Sequence, residues 1–330
     1  MKRVLITGAA GFVGRHFCKH FLDKKFEVIA IDNLQKFTGA IDPKKNWPLF
    51  NPYDYKNFKF IKMDCVEWFK KNKNKKFDYV LHLAAIVGGR EMIENNPLAV
   101  AQDLTIDSKF WEWCVTSKPK KTLYFSSSAS YPLALQTKKF YRLLKESDIN
   151  FSNNLGVPDY TYGWSKLTGE FLANIAYKKH GIKSVCYRPF SGYGEDQDIN
   201  YPFPNLCRNL ILAEKKKIVQ VWGDGKQMRD FIHIDDCVNG VISTMDKVND
   251  ASPINLSTGI YTSFIDFIKL GKKITGYNFD IITKKSKPVG VYARGGSTKK
   301  QLQLGFKAQI KISNGIERGL KYFSKKINYF

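Results

Sequence analysis

Residues 7–14 read Thr7-Gly8-Ala9-Ala10-Gly11-Phe12-Val13-Gly14, a Gly-x-x-Gly-x-x-Gly spacing set between an apolar run and a helical pattern. Few local sequences restrict a fold as strongly. The glycines permit a tight strand-to-helix turn and let backbone approach a pyrophosphate, and the helix N-terminus offers N–H groups and a partial positive charge. The spacing alone also occurs in plain turns, so its context carries the weight. Asp32 ends the second apolar run, 18 residues beyond Gly14. A carboxylate there accepts hydrogen bonds from an adenosine ribose and repels a 2′-phosphate, which favours NAD over NADP. Arg15 and Lys36 are nearby cations that weaken this preference. Asp64, after the third run, is placed to meet the adenine. Phe12, Val13, Asn33 and Cys65 join Gly8, Gly11, Gly14, Asp32 and Asp64 as candidate cofactor residues.

Val4–Thr7, Val28–Asp32, Phe58–Met63, Tyr79–Leu83, Thr122–Ser126 and Ser184–Arg188 read as strands. Most are unbroken apolar runs, as expected of strands covered on both faces. Helical stretches at Gly14–Leu22, Leu98–Thr116 and Ser165–His180 separate them. The alternation implies an α/β fold, a doubly wound parallel Rossmann sheet with right-handed crossovers. Lys36–Asn57 reads as an ordered aromatic loop and Leu133–Pro158 as a second, partly helical insertion. After Pro189 the chain becomes turn-rich, which implies a smaller mixed C-terminal substrate-binding region. The expected division is a dinucleotide-binding part over 1–190 with a return segment about 232–260, and a substrate part over 191–231 and 261–330.

Hydrophobic residues form 43% of the 330, enough for a sizeable core. No apolar run approaches the roughly 18 residues of a membrane span. Glycines break the apolar start too early for an export signal, so a cytoplasmic location without membrane association is expected. Lys and Arg number 53 against 30 Asp and Glu, a net charge of +23. Such an excess suits a phosphate-bearing metabolite, a nucleic acid, or solvated lysine-rich faces such as Lys70–Lys76. Nucleic acid is the least favoured, because no zinc-finger spacing or strand-binding aromatic motif accompanies the charge. The six cysteines form no Cys-x-x-Cys pair and read as buried thiols. His16 and His20 share a helix face but lack a third ligand, so no metal site is expected.

Tyr162-Gly163-Trp164-Ser165-Lys166 brings Tyr162 and Lys166 to one helical face. A free phenol, with a pKa of roughly 10, is a poor base near neutrality. A neighbouring ammonium and a positive nicotinamide ring favour the phenolate. Tyr162 would then exchange a proton with a substrate hydroxyl while a hydride moves to or from the cofactor, and Lys166 would bond the nicotinamide ribose.

The ordered set Thr7–Gly14, His82-Leu83-Ala84-Ala85, Phe125–Pro132, Tyr162–Glu170, Arg188-Pro189-Phe190, Gly223-Asp224-Gly225 and Arg229-Asp230-Phe231 resembles the extended short-chain dehydrogenase/reductase family, in its NAD-dependent nucleotide-sugar epimerase/dehydratase group. The resemblance runs from Lys2 to about Tyr322. It implies that Ser127 completes a catalytic set with Tyr162 and Lys166, with Ser126 and Ser128 as possible replacements. It also adds Leu83, Ala84, Ala85 and Arg188 to the cofactor residues. Where dehydratases of the group carry an acidic base, this chain has Ser128 and Ala129, and Ala129 also replaces the Cys of 3,5-epimerizing members. The resemblance therefore implies hydride transfer at C4 of an NDP-hexose, by an epimerase or an oxidoreductase. An NADP-linked keto-sugar reductase is the alternative, and a non-catalytic nucleic-acid or regulatory binding protein a remoter one. Val87-Gly88-Gly89 is similar to the loop of GDP-sugar members. Val87, Gly88, Ser128, Ser191, Arg229 and Arg294 are the candidate substrate residues, the two arginines for a diphosphate. Ser191, Asp103 and Ser297 depart from the group's usual Asn, Asn and Asp, which points to an atypical sugar pocket. Trp222 or Phe203 could stack on the base. Relatives resemble homodimers built on two helices per subunit, here Leu98–Thr116 and Ser165–His180, with Trp111, Trp113, Phe171 and Ile175 as an apolar stripe.

Overall fold

A computed structural model describes residues 1–35, 38–88, 90–153, 155–284 and 290–326 of the chain. The N-terminal half alternates β1 (Arg3–Thr7), α1 (Phe12–Asp23), β2 (Glu27–Asp32), β3 (Phe58–Lys62), α2 (Cys65–Lys71), β4 (Tyr79–His82), α3 (Arg90–Asn95), α4 (Pro97–Val100), α5 (Asp103–Ser117), β5 (Lys121–Phe125), α6 (Tyr160–His180) and β6 (Ser184–Pro189). Then follow β7 (Ser191–Tyr193), α7 (Pro202–Lys216), β8 (Ile218–Trp222), β9 (Met228–Arg229), β10 (Phe231–His233), α8 (Ile234–Thr244), β11 (Asp250–Leu256), β12 (Thr262–Ser263), α9 (Phe264–Thr275), β13 (Asp280–Lys284), β14 (Ala293–Arg294), α10 (Lys299–Gln303) and α11 (Ile312–Ser324).

Seven strands form one parallel sheet in the order β11-β6-β5-β4-β1-β2-β3. The Rossmann sheet expected from the apolar runs is therefore present, with β11 as its far edge. Buried side chains pack on both of its faces. Phe17, Phe21, Ile232 and Val241 belong to one cluster; Trp68, Phe110, Trp113 and Tyr124 belong to the other. The sheet order reverses beside β1, where α1 and the β4 loop open a crevice at the strands' C-terminal ends, the usual ligand position in such sheets. A third cluster, including Phe203, Leu210, Val221 and Phe267, joins α7, α9 and β8.

Three local expectations need correction. The helix expected over Leu98–Thr116 is broken: α4 ends at Val100 and α5 starts at Asp103. The intervening amides of Gln102, Leu104 and Thr105 reach carbonyls three residues back, which tightens the turn. α6 begins at Tyr160 rather than Ser165, so Tyr162 stands in its first turn. Trp111 and Trp113 face the core and are buried, whereas Phe171 and Ile175 are exposed, so the four do not form one surface stripe. Among the described residues no helix is long and apolar enough to cross a membrane.

Candidate active site

The crevice is a cleft of about 1070 Å³, with the glycine turn at one end and Arg229 and Arg294 at the other. Gly8 has a φ of +67°, and a Cβ on it would stand 2.7 Å from the Ala84 nitrogen. A Cβ on Gly14 would stand 2.7 Å from the Ala9 Cα. Both positions therefore require glycine. Gly11 precedes α1 without a side-chain cap, which leaves first-turn amides for a ligand. The Thr7 hydroxyl accepts from the Leu83 and Ala84 amides, each at 3.3 Å, and so ties the β4 loop to the turn. Gly8, Gly11, Phe12, Val13, Gly14, Leu83, Ala84 and Ala85 all border the cleft. The cradle fits a dinucleotide pyrophosphate.

Asp32 borders the same end. Its Oδ2 accepts from the Ala10 amide at 3.0 Å and its Oδ1 from the Leu34 amide at 2.8 Å. Burial raises its carboxyl above the usual range, against those two hydrogen bonds. Arg15 makes its hydrogen bonds elsewhere, to Asp196 at 2.8 Å and to the Ala10 carbonyl at 2.8 Å, although its charge still lowers the Asp32 carboxyl. Lys36 lies outside the described residues. Asn33, Asp64 and Cys65 border the cleft, but Asp64 Oδ1 already caps α2 by accepting from the Val66 amide at 2.8 Å. Burial pushes the Cys65 thiol far up.

Tyr162 enters the cleft from the start of α6. Asp159 precedes the helix, and its carbonyl accepts from the Gly163 amide at 2.8 Å. A Cβ on Gly163 would strike the Ala129 carbonyl, and the Asp159 amide donates to that same carbonyl at 2.9 Å. This contact fastens the 127–129 turn to the helix. Ser127 thereby stands beside Tyr162 and lowers the phenol's proton affinity. It also accepts from the Ala129 amide at 3.1 Å. Ser128 and Ala129 border the cleft. Ser126 is engaged elsewhere, with Glu170 and with Ser130 at 3.1 Å, and cannot stand in for Ser127. Tyr160, two residues before Tyr162, has a φ of +52°, a strained turn of the kind that clusters at functional sites. The Arg90 guanidinium lies 4.9 Å from its ring centre and helps to hold it.

Lys166 sits one turn along α6, buried, with Nζ 5.4 Å from the Tyr124 ring centre. The ammonium does make the phenol more acidic, as expected, but it does not set the net direction. Burial raises Tyr162, Lys166 and Ser127 lower it, and Asp103 and Asp107 raise it. Burial and the carboxylates win, so in the protein alone Tyr162 lies above the ordinary phenol range.

Arg188 is a second correction. Its side chain is withdrawn from the cleft: Nη2 and Nε lie 2.6 and 2.8 Å from the Glu170 carboxylate, and its guanidinium stacks 4.8 Å from the Tyr131 ring centre. With Nε and Nη2 on Glu170 and Nη1 on the Glu146 carbonyl at 3.2 Å, the buried fork is committed away from a ribose or phosphate.

At the far end stand Val87, Gly88, Ser191, Arg229 and Arg294; Gly89 lies outside the described residues. Arg229 Nη1 donates to the Val291 carbonyl at 2.9 Å. Burial and the nearby Arg294 and Arg90 press its guanidinium down to about 9, while Asp159 opposes them. A desolvated cation under such pressure gains most from an anionic ligand. Asp230 fixes this corner by accepting from Thr258, Gly259 and Gly296 amides at 2.8–3.2 Å. Trp222 and Phe203 also border the cleft.

Sequence reasoning missed three cleft residues. Arg90 Nη1 and Arg294 Nη2 both donate to Asp159, each at 2.9 Å, which places three guanidinium groups around one carboxylate. Tyr201, ahead of α7, faces the same cleft as Tyr162. Arg90 and Asp159 had a weak signal, since each stands beside a motif already in view. Tyr201 had none.

The model of the NAD dependent epimerase/dehydratase family matches residues 4–257. An uncharacterized UDP-glucose epimerase of Bacillus subtilis, YtcB, is 31% identical over 83% of this chain and 82% of its own length. UDP-glucuronic acid decarboxylase 1 of Xenopus tropicalis is 26% identical over 99% of this chain and 73% of its own. Among solved structures, UDP-glucuronic acid 4-epimerase of Bacillus cereus, in complex with UDP-glucuronic acid and NAD, superimposes with a TM-score of 0.80. It is 26% identical and covers 98% of this chain and 99% of its own.

Proposed function

This chain belongs to the NAD-dependent epimerase/dehydratase family, and from that membership we propose that it is a nucleotide-sugar epimerase or oxidoreductase working at C4 of an NDP-hexose. One observation carries the reading: Tyr162, with Ser127 beside it and Lys166 one turn along its helix, opens on the cleft that also holds the glycine cradle and Arg229. The cradle and Asp32 fit NAD, the family's cofactor. When bound, NAD supplies a hydride acceptor and donor. Its positive ring also lowers the proton affinity of a nearby phenol, which opposes the effect of burial.

The protein's own groups do the rest. Ser127 and Tyr162 hold the C4 hydroxyl, and Tyr162 takes its proton and later returns it. Lys166 would hold the ribose of the cofactor, and it steadies the phenolate. Arg229 and Arg294 receive the diphosphate, with Val87, Gly88, Ser128 and Ser191 around the sugar. Ser128 and Ala129 offer no carboxylate for a C5 proton, which favours simple C4 chemistry over dehydration. All three of these relatives are named for UDP sugars, which makes UDP-glucose and UDP-glucuronic acid the first probes. A second copy of the chain would cover the exposed Leu104, Trp164, Phe171 and Ile175 on α5 and α6, which supports a homodimer.

The test is incubation with UDP-, GDP-, CDP- and dTDP-sugars, analysed for C4 epimers and 4-keto products. Tyr162→Phe should lose turnover yet still carry NAD. Near-normal activity of that variant would overturn the reading.

A further inference from the structure

α5 turns two carboxylates inward one turn apart, Asp103 and Asp107, toward the side of α6 that bears Lys166. Their surroundings differ. The Thr7 hydroxyl accepts from two amides, so its own proton goes to His82 Nδ1 at 2.8 Å. His82 is left with a proton on Nε2, which it donates to Asp107 Oδ1 at 3.2 Å. The Tyr124 hydroxyl donates to Asp107 Oδ2 at 2.5 Å. Each oxygen of Asp107 thus has a donor. Asp103 has one, the Ile86 amide at 2.6 Å on Oδ1. Its Oδ2 is wholly buried and has no partner among the described residues. A buried carboxylate oxygen without a donor is costly, and a proton on it lowers the cost by removing the charge.

We propose that Asp103 is a positioning residue of the reaction: a buried carboxyl on the Lys166 side of α5, neutral with its proton and a counter-ion without it, that sets the pH range in which Tyr162 works as a base. The proposal deepens the assignment of Tyr162 and rests on it. The groups facing Asp103 are Asp107 on its own helix and Lys166 and Tyr162 on α6; His82 of β4 and Tyr124 of β5 bear on it through Asp107. Burial raises the Asp103 carboxyl to about 7, Lys166 opposes this and Asp107 adds to it. Burial would lower Lys166, but Asp107, Tyr162 and Asp103 outweigh it and hold the ammonium above its usual range. Below neutrality Asp103 is neutral, and Lys166 acts on Tyr162 with one carboxylate fewer against it. Above neutrality Asp103 becomes charged and holds the proton on Tyr162 more tightly. The phenol therefore gains basicity as the medium becomes alkaline, and its working range is stretched upward.

The experiment uses NAD-loaded protein with carbon-13-labelled tyrosine and needs no substrate. The Tyr162 resonance is identified by its loss in Tyr162→Phe, and its titration is followed by NMR in wild type and Asp103→Asn. The amide keeps an acceptor for Ile86 but cannot ionise. Two results are expected: a small step in the wild-type resonance near pH 7, absent in Asp103→Asn, and a phenol midpoint lower in the variant by about one unit. Should a sugar substrate be found, the pH profile of kcat should move by the same amount, with KM little changed. If Asp103→Asn does not fold, the wild-type step decides alone. A wild-type resonance without that step, or a variant midpoint equal to or above wild type, would overturn the proposal. Failure of every sugar to react would refute the proposed function and leave this titration standing.

Discussion

Arg188 grips Glu170 through Nη2 and Nε, at 2.6 and 2.8 Å, and so pins the end of β6 to the middle of α6. The pair is buried, and Glu170 also takes the Ser126 hydroxyl. It thus supports the turn that carries Ser127 from behind, without reaching the cleft.

Removing one partner of such a pair strands a charge in the core. Arg188→Met should lower stability by about 3–5 kcal/mol. Chemical denaturation of the two proteins checks this. NAD affinity of the fraction that remains folded should be unchanged, whereas a direct cofactor role would weaken it at once.

Asp32 sets the choice between cofactors. Asp32→Ser removes the charge at the end of β2 and keeps a short hydrogen-bonding group. NAD binding should weaken by about 1–3 kcal/mol while NADP binding improves or holds. Calorimetric titration with each nucleotide reads this. Equal loss for both would show that Asp32 acts only by accepting from Ala10 and Leu34.

Glu195 governs acid stability at the packing of α11 against β10. Burial would raise its carboxyl, but His233 and Arg318 hold it down at about 2, below the ordinary 4.5. A depressed carboxyl stabilises the fold above its unfolded pKa, and that contribution is lost as pH falls through the folded value. Wild type should therefore lose about 1–2 kcal/mol between pH 4.5 and 2 from this group alone, less than the full shift because Arg318 is partly exposed. Glu195→Gln should be less stable at neutral pH and show a flatter acid limb in thermal melts.

The parallel sheet, the glycine turn and the pairing of Tyr162 with Lys166 were legible because each is a local pattern: an unbroken apolar run, a fixed glycine spacing, one helical turn; Ser127, on another element, came only from the resemblance. Arg188 was misread because a motif gives a residue's neighbours in sequence, while its partner, Glu170, lies on another element. The sign of the Tyr162 shift was lost for the same reason. Spacing gives Lys166, but not the burial or the two α5 carboxylates that outweigh it. Arg90 and Asp159 meet across 69 residues, and only the folded cleft brings them together.

The most direct test follows the C4 hydrogen itself. UDP-glucose and UDP-glucuronic acid carrying deuterium at C4 are incubated with the NAD-loaded protein, and the label is located in sugar and nucleotide by mass spectrometry. The account predicts deuterium on the cofactor during turnover in wild type, and none with Tyr162→Phe. Product that forms while its C4 label never leaves carbon, or equal transfer in Tyr162→Phe, would contradict it.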